Sequence, residues 1–599
     1  MGAVGIDLGT SSSVVSWEDG GGQVHVLADK QRATIQPSIV AFTEDGSVVV
    51  GAEAKPRKIT DPRNTIYSFK RLMGQTAGSV AVRQIRARVP YKIHEAVEGN
   101  DLPAVRTRAG EFSAVELSAM MLDHLRDIAT TRLRRPVDSA VIAVPASFND
   151  AQRSATKSAA AIAGLQVAGI LNEPTAAALA YGATRHLDEV IAVFDFGGGT
   201  FDLTVMKLEN QTYTVLGTAG DSFLGGDDID ERIVELMLAR VIAAHRVDLR
   251  DDIFAMMKLR AAAEQIKITL STQAQETITV PDLAIGANGE PITLEVTLSH
   301  AELVGLMQDL VDRAMSVTRD ALSVASVKLD RISDVILVGG TTRIPYIRHR
   351  VASLFDRAAR RDVSPQEAVS IGAALYATAL TQARTFGVGF DIPQPAAQPP
   401  QIATLGALPS TVAPPQHIVD IDDALADVEA NVVSIDEALD ELEAVAPAPP
   451  RVVTPVAPLA SRRVVIDVTP NSLGVATVGG YCEILIQRSS PLPVVVRKNY
   501  ATLRDHQEVV RIVVCQGETR RLSDNVVLGD VVLVELPRLP RGGVEIEVAF
   551  ELDTSGMLQV SARDAASGQS RQVSLDLVGR MSDTEVSVAR ERMQRLRLG

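Results

Sequence analysis

Several things are scarce in this sequence, and each shortage narrows what the chain can be. Its 599 residues contain two cysteines, Cys482 and Cys515. Both fall in β-like segments; buried free thiols are the expected state, with one disulfide as the alternative. Positive charge is in deficit, 59 Lys and Arg against 74 Asp and Glu for a net charge of −15. A chain without a basic excess is poorly suited to displacing counterions from nucleic acid or to lying on an anionic membrane, so neither partner is expected. No apolar run approaches the roughly twenty residues a membrane helix needs. No basic or apolar export stretch precedes Val4, and Ile6 stands where a myristoylation signal requires Ser or Thr, so a cytoplasmic protein is expected. There is no G-x-x-x-x-G-K-[ST] loop, which excludes a P-loop enzyme.

What is present divides the chain. The composition is that of an ordinary globular protein, 46% hydrophobic and 22% charged, and the length calls for more than one domain. Strand-like and helical runs alternate over residues 1–382, the pattern of an α/β fold. Residues 383–462 hold 12 of the 29 prolines and read as a flexible, partly polyproline insert. An all-β pattern then occupies 468–578, followed by one short helix over 579–599. In Val544–Phe550, branched and aromatic residues alternate with Glu or Ala, as in a half-buried strand. Asp553-Thr554-Ser555-Gly556 turns the chain into Met557–Ser561, giving a hairpin that requires a second sheet to pack on.

The first region contains an echo. Ala3–Ile6 leads into Asp7-Leu8-Gly9-Thr10, and Ile191–Phe194 leads into Asp195-Phe196-Gly197-Gly198-Gly199-Thr200; each is followed by a further β-branched run. A strand, a glycine turn and a second strand, used twice, imply two similar lobes facing across a cleft. Glycines let backbone N–H groups approach phosphate oxygens closely, and a neighbouring aspartate and threonine can orient Mg²⁺ through its water shell. A third turn, Gly339-Gly340-Thr341-Thr342-Arg343, ends the strand Val335–Val338; it could support an adenosine or be a plain strand-to-helix turn.

These segments, with Phe69-Lys70-Arg71-Leu72-Met73-Gly74, Val144–Asp150, Asn172–Ala178, Asp195–Asp202, Leu224–Asp228 and Val338–Pro345, make the chain resemble the DnaK-type heat shock protein seventy family. The resemblance covers all of it except the insert and the C-terminus. It implies an actin-like ATPase domain of two duplicated lobes, then an all-β peptide-binding sandwich and a short C-terminal helix. It also implies a chaperone that binds extended apolar segments of unfolded proteins under control of ATP hydrolysis. ATP or ADP, Mg²⁺ and K⁺ are the cofactors implied, and a J-domain protein and a nucleotide exchange factor the partners. Asp7 and Asp195 would hold the Mg²⁺ water shell. Thr10 and Thr200 would stand at the phosphates, and Gly9, Ser11, Gly197, Gly198, Gly199, Gly225 and Gly226 would bind the nucleotide. Lys70 would approach the γ-phosphate, and Glu173, Asp195 and Asp202 would order water and monovalent ions. Glu264, Lys267 and Ser271, which alone would read as a solvated helix face, would clasp the adenosine with Gly339, Gly340 and Arg343. Pro145 and Arg153 would relay nucleotide state. Two departures from the pattern stand out: Ser147 replaces a usual tyrosine and Phe223 a usual histidine.

Val464-Val465-Ile466-Asp467 resembles the family's interdomain linker over 463–467, though it could also be the first sandwich strand. In the sandwich, Val475, Tyr500, Val510 and Ile512 would line the peptide pocket, with Val478 and Leu503 arching over it; all are apolar, so plain core is the alternative. Ser582-Asp583-Thr584-Glu585 is a capping box that opens a helix with Val586, Ala589, Met593 and Leu596 on one face. That helix is about 24 Å long, which implies a truncated lid. Within the insert, Ile421, Leu425, Val428, Val432, Ile435, Leu439 and Leu442 form a coiled-coil seam over 418–445. That stretch is acidic and lacks Lys and Arg, so a basic partner helix suits it. Arg590, Arg592, Arg595 and Arg597 offer one, with a transient solvated helix as the alternative. A nucleotide-regulated adaptor for a single client is the competing functional reading.

Overall fold

The computed structural model describes residues 3–19, 21–95, 102–182, 188–209, 212–286, 289–360, 363–385, 464–477, 479–564, 570–573 and 581–598. The acidic seam and Val478 lie outside these residues.

Lobe I is organised on β1 (Val4–Leu8), which turns through Gly9 into antiparallel β2 (Ser12–Glu18) and β3 (Val24–Val26). The chain continues through α1 (Ala114–Leu133), β4 (Ser139–Val144), α2 (Asp150–Ile162) and β5 (Gln166–Asn172). Strand order is β5-β4-β1-β2-β3, with β4 parallel to both its neighbours. Both helices start where the sequence supplies reciprocal caps: Ser113 with Glu116 for α1 and Asn149 with Gln152 for α2.

Lobe II repeats this plan. It comprises α3 (Glu173–Gly182), β6 (Glu189–Phe196), β7 (Phe201–Glu209), β8 (Thr212–Asp221), α4 (Gly226–His245), α5 (Ile253–Thr269), α6 (His300–Val324) and β9 (Asp334–Val338), after which α7 (Ala368–Thr385) returns to pack on β1 and β2 of lobe I. β6 stands in the place of β1, with an antiparallel hairpin partner in β7 and a parallel neighbour in β9. Residues Ile191–Phe194 of β6 are buried on both faces, as a strand covered by helices on either side requires. α3 and α7 cross closely: a Cβ on Gly372 would lie 1.7 Å from the Ala176 carbonyl oxygen, so only glycine permits this packing.

The sandwich stacks a sheet of β11 (Leu473–Thr477), β12 (Tyr481–Ile486), β14 (Val510–Gln516) and β15 (Val526–Leu533) on a second sheet. The second sheet comprises β13 (Val494–Ala501), β16 (Glu545–Leu552), β17 (Leu558–Asp564) and β18 (Ser570–Val573). The orders are β12-β11-β14-β15 and β13-β16-β17-β18, and inward residues such as Val514, Val531, Val548, Phe550 and Val560 fill the core between them. The predicted hairpin is β16–β17, registered Leu552 to Leu558.

Two segments join the sandwich to lobe II and lobe I. Val464–Ile466 forms β10, which adds to the lobe II sheet parallel to β8 (Thr212 opposite Val464, Thr214 opposite Ile466). It is therefore an ATPase-domain strand rather than the first strand of the sandwich. The C-terminal helix α8 (Asp583–Leu598) starts at the predicted Ser582–Glu585 capping box. It packs on α1 and α2, with Ala589 and Met593 buried in the lobe I core and Val586 and Leu596 against it.

Candidate functional site

The two echoed turns meet. Gly197 closes its turn by donating to the Thr200 carbonyl (3.0 Å), and a Cβ on Gly198 would lie 2.1 Å from the Ser11 hydroxyl of the opposite lobe. Gly226 N–H and the Thr341 hydroxyl both donate to the Gly197 carbonyl, at 3.0 and 2.8 Å, and Asp227 N–H donates to that of Gly198 (2.8 Å). Gly339, at φ 84°, passes so close to Phe196 that a Cβ would sit 2.3 Å from its carbonyl oxygen. The turns at 197–199, 225–226 and 339–340 are thus stitched into one cradle, where added side chains at Gly198, Gly225 or Gly339 would collide with backbone or the facing lobe.

At Gly225 the structure shows a packing role beside the cofactor-binding role expected of it. Gly225 is the N-cap of α4, and its N–H donates to the Asp228 carboxylate at 2.9 Å. That donor is committed to capping the helix, as the Gly226 N–H is committed to Gly197, so neither is free to face an anion. What Gly225 provides is proximity: a Cβ there would lie 2.3 Å from the Gly198 carbonyl oxygen, so glycine lets α4 start directly against the 197–199 turn. The sequence shows the glycine but not which partner takes its N–H.

Acid groups crowd the floor of this cradle. Asp195 and Asp202 are cross-strand neighbours on β6 and β7, and Asp7 is the penultimate residue of β1. Lys70 is buried and pairs at 2.8 Å with Glu173, the first residue of α3. Burial, with repulsion from Glu173, pushes the Asp7 carboxyl up to about 7, and Lys70 only partly offsets this. Burial, then Glu173 and the other acids, holds Asp195 well above the usual carboxylate range. Asp202 is raised in the same way, opposed by a hydrogen bond from Ser147 and by Lys70. Four carboxylates around one ammonium leave a buried excess of negative charge that a bound cation would relieve, and hard carboxylate oxygens are the donors Mg²⁺ prefers. Asp202 Oδ1 is buried without a hydrogen-bond partner, a further opening for a water or cation. Among the described residues no three acidic, imidazole or thiol groups converge closely enough to chelate a metal directly.

Arg71, for which the sequence indicates no role, closes one side of the cradle. Its guanidinium donates to the Gly199 carbonyl (2.8 Å), lies 3.6 Å from Asp227 and sits 5.5 Å above the Phe223 ring. Phe223 thus supplies a ring face to an arginine where the family pattern has histidine. A cavity of 720 Å³ beside it is lined by Phe223, Met256, Met257, Arg260 and Asp228. None of the predicted cradle residues lines it.

The predicted adenosine clasp is only partly assembled. Lys267 reaches the Gly226 carbonyl (3.1 Å) and pairs with Asp230 (2.7 Å), which brings it to the cradle. Glu264 instead bridges to Lys55 of lobe I (3.3 Å), the Ser271 hydroxyl donates back to the Lys267 carbonyl (3.0 Å), and Arg343 holds Gln366 (2.9 Å).

The relay residues converge on the sandwich. Pro145 is buried at the end of β4, its carbonyl accepting from Phe148 N–H (3.1 Å). Arg153 is buried and donates to the Phe148 carbonyl (3.0 Å), to Asn172 Oδ1 (2.7 Å) and to the Ser555 carbonyl of the β16–β17 turn (3.2 Å). Asn172 in turn donates to Asp467 (2.6 Å). Asp150 accepts from Leu558 N–H of β17 (2.7 Å). Asn172 precedes Glu173, so the network that grips the linker touches the residue that pairs with Lys70.

In the sandwich, Val475 is 2% exposed and Ile512 is likewise in the core between the sheets. Tyr500 and Val510 pack at the core's margin, and Leu503 is 55% exposed. Periodicity did not indicate the polar tie at that margin: the Tyr500 hydroxyl donates to Glu483 of β12 (3.0 Å), and Lys498 pairs with the same carboxylate. On α8, Arg592 lies 3.8 Å over the Phe112 ring and pairs with Glu116 (3.1 Å), while Arg590 donates to the Ala161 carbonyl. Two of the arginines offered to an acidic helix are therefore engaged with lobe I.

A family model described as Hsp70 protein matches residues 3–388 and 452–597, leaving out the proline-rich stretch between them.

Proposed function

The chain belongs to the Hsp70 family, and on that premise we propose that it is a DnaK-type chaperone in which ATP binding and hydrolysis set the affinity for extended apolar peptide. The family's fold, an actin-like ATPase domain with a β-sandwich, is the fold observed, and its general activity is that of a nucleotide-dependent chaperone. The observation that carries the finer reading is continuity: Lys70–Glu173 in the cleft adjoins Asn172, which holds Asp467 beside the linker strand and Arg153 beside the sandwich.

Bound Mg²⁺ and nucleotide would supply phosphate oxygens already polarised for displacement. Lys70 then holds positive charge against the transferring group, positioned by Glu173 and kept from solvent by burial. Asp7 and Asp195 orient the ion's water shell, and Asp202, with Glu173, orders the attacking water and a monovalent ion such as K⁺. Backbone N–H groups of Gly9, Thr10, Ser11, Gly198, Gly199 and Thr200 would donate to the phosphates, with Gly197, whose N–H closes the turn onto Thr200, shaping it. Gly225 and Gly226 serve that turn by close packing behind it. Hydrolysis here needs positioning and charge neutralisation more than covalent chemistry. On the other face, Glu264, Lys267, Ser271, Gly340 and Arg343 would close on the adenosine.

Peptide would lie at the margin marked by Tyr500, Val510 and Leu503, above Val475 and Ile512, held through its backbone with one apolar side chain inserted. A J-domain protein and an exchange factor are the partners this reading implies, in the cytoplasm. Among the described residues no helix is long and apolar enough to cross a membrane. We place the domain limits near 382 and 468, with 463–467 as the coupling segment. The polar tie of Tyr500 to Glu483 favours a second reading, a nucleotide-regulated adaptor for one client, because a carboxylate at the margin narrows what an apolar groove accepts. The test is the affinity of a labelled leucine-containing peptide with and without ATP, and its competition by diverse unfolded chains. Weaker binding with ATP and broad competition support the chaperone; competition by a single native protein supports the adaptor.

A further inference from the structure

The two cysteines occupy an unusual place. Cys482 lies on edge strand β12 and Cys515 on β14, separated in the sheet by β11. The register sets Ala476 opposite Cys482, while Gly474, two residues earlier on β11, faces Cys515. Their sulfurs nonetheless touch, Cys515 Sγ lying 2.6 Å from Cys482 Sγ, well inside the ordinary separation of unbonded sulfur atoms. Two local features make this approach possible. A Cβ on Gly474 would sit 2.1 Å from the Glu483 carbonyl oxygen, so β12 folds in over β11 more closely than any other residue would permit. Gly517, at φ 143°, then turns the chain after β14 so that the Arg520 carbonyl accepts the Cys482 N–H at 2.8 Å. The thiols are buried, 8% and 2% exposed, and lie apart from the apolar core between the two sheets.

We propose that Cys482 and Cys515 form a disulfide site that ties edge strand β12 to β14, and that closing it restrains the peptide-binding margin of the sandwich. The first half stands on the sulfur geometry; the second rests on the peptide-binding reading above. β12 carries Glu483, the partner of Tyr500 and Lys498, and β14 carries Val510 and Ile512. A bond between these strands limits how far β12 can swing from the floor beneath.

Cys482 is the more exposed thiol and is the one that reaches a reagent from outside. Burial pushes the Cys515 thiol up to about 12, which keeps it protonated until its neighbour has reacted. The Cys482 thiolate attacks one sulfur of a low-molecular-weight disulfide, releasing one small thiolate and leaving a mixed disulfide. The sulfur of Cys515, losing its proton, then attacks the Cys482 sulfur and displaces the second small thiolate. Two thiol hydrogens and two electrons pass to the small disulfide, which leaves as two thiols.

The test uses the full chain incubated with glutathione disulfide, then denatured and treated with a thiol-alkylating reagent before mass analysis. The expected product is two hydrogens lighter, takes up no alkyl group and yields a linked peptide pair containing 482 and 515. Cys515→Ser is expected to stop at a glutathione adduct on Cys482. Two alkylatable thiols in the wild-type chain, or a persisting adduct there, overturn the site. Release of a bound labelled peptide is then timed for the oxidised and reduced chain, with Cys515→Ser as control. Several-fold slower release from the oxidised wild type alone supports the restraint. A bond that forms without slowing release upholds the site and overturns the restraint, whereas a reduced chain that binds no peptide counts against the peptide reading on which the restraint rests.

Discussion

The Asn172 side-chain amide donates to the Asp467 carboxylate at 2.6 Å, joining residues 295 positions apart. Its oxygen accepts from Arg153 at 2.7 Å, so one buried amide serves both the linker and the helix facing the sandwich. Asn172→Ala would leave a buried carboxylate and guanidinium each short of a partner, a loss of about 1–3 kcal/mol. The sandwich is expected to spend more time detached, read as lower energy transfer between labels on lobe I and on the sandwich. Unchanged transfer would count against this network as the clasp.

The Lys70–Glu173 pair gives the second prediction. Lys70→Ala removes the one ammonium among four acids and should lower ATP turnover by about 10²-fold or more, with nucleotide still bound. Single-turnover hydrolysis beside a nucleotide-binding titration separates the two effects. A proportionate loss of binding would make Lys70 a folding or affinity residue instead.

The interface should also respond to pH. Burial raises Asp150 from its ordinary value to about 6 and raises Asp467, with Arg153 opposing both shifts. A carboxyl whose pKa is raised in the docked state takes up its proton more readily there. Docking is therefore favoured most fully at low pH, and that advantage is lost as pH rises through about 6. The docked fraction should increase between neutral pH and about pH 5.5. Asp150→Asn, which keeps an oxygen for Leu558 N–H, should flatten the response.

At the sandwich margin, Tyr500→Phe should keep leucine-peptide affinity within a few-fold, because it removes one hydrogen bond to Glu483 and no apolar area. Tyr500→Ala should weaken binding by about tenfold or more, the cost of losing a large half-buried side chain. Fluorescence anisotropy distinguishes these outcomes. Equal losses would make the hydroxyl, and not the ring, the important group.

Much of this was readable in the sequence where the signal was local. The echoed glycine turns, the caps at Ser113, Asn149 and Ser582 and the β16–β17 hairpin each needed only a few neighbouring residues. Contacts fixed by folding were not readable: Arg71 stacks on Phe223, and Tyr500 finds Glu483, through approaches no spacing rule describes. Gly225 belongs with these, because a glycine beside a phosphate loop and a glycine that caps a helix against that loop look alike in sequence. The apolar face of α8 was visible as a stripe, but a stripe does not name its partner, and here it packs on lobe I. Val475 and Ile512 show the same limit, since alternation marks a buried position without separating core from pocket. The β strand of the linker could be foreseen; its pairing with β8 depends on an edge left open by lobe II.

The most direct test of the account is ATP turnover by the full chain with and without an apolar extended peptide, for wild type and Asn172→Ala, with Thr200→Ala as the blank. The account predicts that peptide raises turnover in wild type and that Asn172→Ala loses most of this stimulation while still hydrolysing ATP. Wild-type turnover indifferent to peptide, or stimulation that survives Asn172→Ala intact, would contradict it.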